Sequence, residues 1–136
     1  MIISPGAIDR LYRLGGGLAA ISLVVTVIGT LLPGQDLPPD LPPDTFLHAM
    51  GFGIPTLLTA FAVSTRRRML ALVLAIAAVA VSTELLQEFV PDRDASLHDV
   101  AANAFGIVVG CVLGRLARAR LQSARLVSVE GSWPHS

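Results

Sequence analysis

Four long apolar runs dominate this chain and leave few architectures open to it. Crossing the roughly 30 Å hydrocarbon layer of a bilayer as a helix takes about 20 residues. Residues 14–32, 46–63, 69–89 and 97–116 each meet that length. The first run is free of charge, and the second holds one ionisable group, His48. The third carries Glu84 and Glu88 near its end, and the fourth has Asp99 near its start and Arg115 at its close. The runs are continuous rather than alternating, which selects helices over the strands of a membrane barrel. Only 15% of the 136 residues are charged and 53% are hydrophobic, against about 25% charged in an ordinary soluble domain. A solvated globular domain and a disordered chain are both excluded. Ten Arg balance ten acids, with no Lys, so no net positive field recruits a nucleic acid. The expected fold is all-α: an integral membrane four-helix bundle over residues 14–117.

The connections agree with this division. Residues 32–44 read LPGQDLPPDLPPD, whose prolines favour an extended segment and oppose a helix. Residues 64–68 form a short basic link. Residues 90–96, VPDRDAS, predict a proline-led turn with Ser96 placed to cap the fourth helix. Residues 118–136 show no periodicity and are expected to form a flexible tail. The lone Cys111 cannot close an intramolecular disulfide.

Arginine placement predicts the orientation. Arg10 and Arg13 precede the first span, Arg66, Arg67 and Arg68 lie between the second and third, and Arg115, Arg118, Arg120 and Arg125 follow or close the fourth. Arg93 alone lies on the opposite side. Both termini, including residues 1–13, are therefore expected in the cytoplasm, in a multi-pass membrane protein. The first run exceeds the 7–15 apolar residues of a signal-peptide core and is not followed by an A-x-A site, so it reads as a span.

Polar residues inside these spans are costly, about 2.5–3.5 kcal/mol for a charge at mid-bilayer. Here they converge on one level: His48 starts the second span, Glu84 and Gln87 end the third, Arg93 lies in the turn, and Asp99 and Asn103 begin the fourth. Glu84 and Gln87 share a helix face, as do Asp99 and Asn103. Gly106, Gly110 and Gly114 continue the Asn103 face as a GxxxGxxxG seam, a pattern that lets another helix come close. The seam would serve packing within the bundle or between two copies of the chain. Pro55 frees a carbonyl one turn earlier, near Gly51, which needs another donor. Glu88, Asp92, Asp94 and His98 read as wet interfacial groups. Arg93 is expected to be held by Glu84 and Asp99, with His48 and Asn103 lining the same cavity.

From Asp44 to Gly114 the chain resembles the VanZ-like family of small bacterial membrane proteins. The likeness rests on Asp44-x3-His48 and on the run ELLQEFVPDRDASLHDVAANAFGIVVG. Within that run the family pattern E-x2-Q, P-x-R, D-x3-N-x2-G-x3-G falls on Glu84, Gln87, Pro91, Arg93, Asp99, Asn103, Gly106 and Gly110. The chain departs at Thr45, where the family often has Lys, and at Ala49 and Phe52, where it often has Phe and Tyr. The resemblance implies a cell-envelope role, the family prototype being associated with teicoplanin resistance.

Two functions suit these residues. The first is binding of a lipid-linked, glycan or glycopeptide-related envelope ligand at an outer polar rim of Asp44, His48, Glu84, Gln87, Arg93, Asp99 and Asn103. Arg93 would take a phosphate or carboxylate bidentately. The second is an intramembrane hydrolase or transferase with His48, Glu84 and Asp99 as catalytic candidates, a Glu–His pair acting as base and Arg93 stabilising an anionic transition state. Glu84, His48 and Asp99 are also possible metal ligands, yet no H-x3-H or H-E-x2-H spacing is present. No metal or cofactor is therefore assigned from the sequence. Membrane lipid is the one general partner expected.

Overall fold

The computed structural model describes the backbone of residues 5–130 and the side chains of residues 6–124. Four helices follow one another: α1 (Pro5–Thr30), α2 (Asp44–Ala62), α3 (Arg66–Gln87) and α4 (Leu97–Glu130). There is no strand among the described residues, and all four helices contain a window long and apolar enough to cross a membrane. The first half of α1, the end of α2 and the second half of α4 meet. Tyr12 of α1 packs on Phe61 of α2 with ring centroids 5.3 Å apart, and Arg118 of α4 lies 4.1 Å over the Tyr12 ring.

Most apolar surface points outward. Leu74, Val25 and Phe105 are 68%, 63% and 67% exposed. Exposed apolar area on this scale is untenable in water and natural in lipid. The apolar core is correspondingly small: Phe52, Ile76, Ala80 and Ile107. With so little to gain from burying apolar groups against one another, helix association relies on close packing and hydrogen bonds.

Helix α2 is the hub, in contact with α1, α3 and α4. Its closest partner is α4, along the glycine seam. A Cβ on Gly106, Gly110 or Gly114 would collide with the carbonyl oxygen of Ala49, Gly53 or Leu57 respectively. The two ladders advance together in steps of four residues, so helix backbones touch along three successive turns. These glycines are thus in contact with α2 of the same chain.

Pro55 lies inside α2 and cannot donate to the Gly51 carbonyl. Thr26 of α1 supplies a donor instead, its hydroxyl shared between that oxygen at 2.8 Å and Ser22 O of its own helix at 2.9 Å. The freed backbone acceptor thereby fastens α1 to α2.

One connection and two helix ends differ from expectation. The proline-rich segment contains a single 3₁₀ turn at Gly34–Asp36, and the Gly34 N–H donates to Pro91 O at 3.2 Å. Asp92, at φ 57°, presents its carbonyl where a Gly34 side chain would sit, so glycine is required there. Helix α1 begins at Pro5, ahead of the expected span. Helix α4 does not stop near residue 116 but runs to Glu130; residues 131–136 of the expected tail lie outside the described residues. Arg118 anchors the start of this continuation. It is buried, and its Nη1 donates to Phe61 O at 2.8 Å and Ala62 O at 3.0 Å. These are carbonyls of the last turn of α2, which have no partner within their own helix.

Candidate functional site

The end of the bundle opposite the termini collects the polar residues. Helix α2 starts at Asp44 after two prolines, with Phe46 N–H and Leu47 N–H bonded to Pro43 O. A carboxylate in a first helical turn is favoured by the helix dipole. His48 lies one turn further on, on the same face, and is fully buried.

Helix α4 starts at the same level. Ser96 caps it as expected: its Oγ accepts the His98 N–H at 3.2 Å, and its carbonyl accepts the Asp99 and Val100 N–H groups. The Ser96 N–H itself donates to Glu84 Oε1 of α3 at 2.6 Å. Asp99 and Asn103 then point inward, and both are buried.

His48 is the centre of the cluster. Its Nδ1 is 3.2 Å from Asn103 Oδ1 and 3.9 Å from Glu84 Oε2, and its Nε2 is 3.8 Å from Asp44 Oδ1. One ligating atom from each of Asp44, His48 and Asp99 lies within 4.8 Å of the other two. Among the described residues no hydrogen-bond donor serves Glu84 Oε2 or Asp99 Oδ1, although both are buried. Buried acceptors without partners are uncommon in folded proteins.

Arg93 is placed differently from expectation. Its Nη1 donates to Asp44 Oδ2 at 2.8 Å and its Nε to Leu32 O at 3.4 Å. The guanidinium is bonded to neither Glu84 nor Asp99 among the described residues. Glu84 is committed to the start of α4, and Asp99 lies deeper, beside His48. Arg93 instead extends from the Pro91 turn over the first turn of α2, where Asp44 waits. Gln87 also departs from the rim, its Nε2 donating to Thr30 O at 2.9 Å, which secures the end of α1. Glu88, Asp92, Asp94 and His98 are exposed, in keeping with wet interfacial groups.

The expected Glu–His base pair is not hydrogen-bonded, since Asn103 takes the nearer position on Nδ1. The cation candidates also shift: Asp44, rather than Glu84, joins His48 and Asp99. Beside this cluster a groove of about 310 Å³ runs between α1 and α2. Leu37, Leu41, Leu47 and Ile54 form apolar walls, and Asp44, His48 and Arg93 stand at its polar part.

Thr26, Thr30, Tyr12 and Arg118 were not legible as partners in the sequence. Pro55 announced an acceptor in need of a donor without naming Thr26. Arg118 carried only a topology signal.

A bundle of four apolar helices, lipid-facing outside and polar at one end within, defines a multi-pass membrane protein. The VanZ/LLP1 family model matches residues 44–118, more than half of the chain, and the chain belongs to that family. The match takes in the Asp44–His48 entry, the Glu84–Arg93 turn and the glycine seam. Neither a search of curated proteins nor one of solved structures finds a significant match.

Proposed function

We propose that the chain is a protein of the bacterial cytoplasmic membrane that binds a lipid-linked envelope ligand, such as a lipid-linked glycan or glycopeptide precursor, at its outer-leaflet end. Nine of ten Arg lie at or beyond the opposite end of the spans, which supports a cytoplasmic position for both termini. The observation that carries the ligand reading is the groove between α1 and α2. It joins apolar walls to Asp44, His48 and Arg93, the combination that an acyl or prenyl chain with a polar head group requires. Arg93 Nη2 is committed to no hydrogen bond among the described residues, so the guanidinium retains donors for a phosphate or carboxylate.

The test is binding of a polyprenyl phosphate to the full chain in detergent, followed by native mass spectrometry. Arg93→Lys keeps the charge beside Asp44 but loses the planar fork. The expected result is unchanged folded yield with affinity reduced about tenfold or more, equivalent to about 1.4 kcal/mol. Equal affinity in the parent and Arg93→Lys, or no binding by the parent, overturns the reading.

A further inference from the structure

The polar cluster around His48 holds more negative charge than its protein partners neutralise. Three carboxylates, Asp44, Glu84 and Asp99, and one guanidinium, Arg93, surround the imidazole. The formal balance leaves two negative charges. Arg93 is bonded to Asp44 Oδ2, which leaves Asp44 Oδ1 turned to His48 Nε2. Asp99 Oδ1 is buried and accepts no hydrogen bond among the described residues, while Asp99 as a whole is 7% exposed. A buried carboxylate oxygen with no donor is expensive unless a cation or a proton serves it.

Asn103 sets the state of the ring. Its Oδ1 can only accept, so a hydrogen bond across the 3.2 Å contact requires the Nδ1–H tautomer of His48. In the neutral ring the Nε2 lone pair then faces Asp44. An outer hydrogen bond that settles the tautomer of a metal-bound histidine is a recurring feature of metal sites. Three potential ligand atoms on two different helices, one each from Asp44, His48 and Asp99, thus lie within 4.8 Å of one another.

We infer that Asp44, His48 and Asp99 form a binding site for one divalent transition-metal cation of the Zn²⁺ or Mn²⁺ type, with Asn103 as the residue that orients His48. An imidazole with two carboxylates suits these cations better than the all-oxygen sets preferred by Ca²⁺ and Mg²⁺. Metal–ligand bonds of about 2.0–2.2 Å require the three atoms to draw closer than they stand, which side-chain rotation supplies. Three protein ligands leave further coordination positions open, as in sites that exchange water for a ligand. A dication cancels both uncompensated charges. It also joins α2 to α4 at the end where the glycine seam begins. This site shares Asp44 and His48 with the groove, but it stands on its three side chains and its test involves no lipid ligand.

The experiment uses the full chain in detergent, with any affinity tag removed, stripped by chelator and titrated with ZnCl₂ or MnCl₂ alone. Calorimetry and elemental mass spectrometry after desalting measure stoichiometry, and thermal unfolding measures stabilisation. The expected result is one equivalent retained and a raised melting temperature. Asp99→Asn and Asp44→Asn should each weaken binding at least tenfold, whereas His98→Gln, at an exposed histidine outside the cluster, should leave it unchanged. Asp44 is 45% exposed in its side chain, so Asp44→Asn serves if Asp99→Asn does not fold. Absence of saturable binding by the folded parent overturns the site, as does parental affinity in a folded Asp44→Asn or Asp99→Asn protein. Because no lipid is present, a negative result bears on the cation alone.

Discussion

Glu84 and Ser96 tie the end of one spanning helix to the start of the next: the Glu84 carboxylate accepts the Ser96 backbone N–H at 2.6 Å. Ser96 in turn caps α4 through its hydroxyl. A buried side chain of α3 thus sets where α4 begins, and with it the depth of Asp99 and Asn103 beside His48. Glu84→Ala should leave the Ser96 N–H without its partner and cost about 1–3 kcal/mol. Glu84→Gln retains an acceptor oxygen and should lose less. Thermal unfolding in detergent measures both; equal stability of parent and Glu84→Ala would remove the tie from the account.

The bond from Thr26 to the Gly51 carbonyl exists because Pro55 cannot make it. Thr26→Val should therefore destabilise the parent by about 1–2 kcal/mol through an unsatisfied acceptor. In a Pro55→Ala background the residue 55 N–H is restored to the helix, and the same substitution should cost clearly less. A double-mutant cycle measures that coupling. Additive effects would show that Thr26 and Pro55 act separately.

Gly110 tests the seam. Its Cβ position is taken by the Gly53 carbonyl oxygen, so Gly110→Leu should force α4 away from α2. Overpacking costs about 1–3 kcal/mol or more, and aggregation or low folded yield is expected. Gly17 has nothing within 4 Å of the same position, and Gly17→Ala should keep parental stability. Size-exclusion profiles and melting temperatures separate the two. A well-folded Gly110→Leu protein would show that the α2–α4 contact is looser than described.

Orientation is open to chemical labelling. With Cys111 replaced by Ser, a single cysteine at Asp40 should react with an impermeant thiol reagent applied to intact cells. One at Arg67 should react only after the membrane is opened. The reverse pattern would place the His48 cluster on the cytoplasmic side.

The sequence by itself determined the number and type of spans, because hydrocarbon admits no unpaired backbone and helices of this length satisfy it internally. It determined the level at which the polar residues meet, because position along a helix converts directly to depth. The cap at Ser96, the acceptor freed by Pro55 and the packing use of Gly106, Gly110 and Gly114 were legible for the same reason, being consequences of local geometry. Only the tertiary structure decided the partners. Arg93 carried the same acidic neighbourhood in sequence whether it paired with Glu84, Asp99 or Asp44. The choice fell to Asp44 because the Pro91 turn brings the guanidinium over the first turn of α2, while Glu84 is held by the start of α4. The extension of α4 beyond residue 116 likewise escaped periodicity. Arg118 finds its carbonyl partners on α2 and its aromatic partner on α1, more than fifty residues away in the chain, and a contact at that separation leaves no local pattern to read.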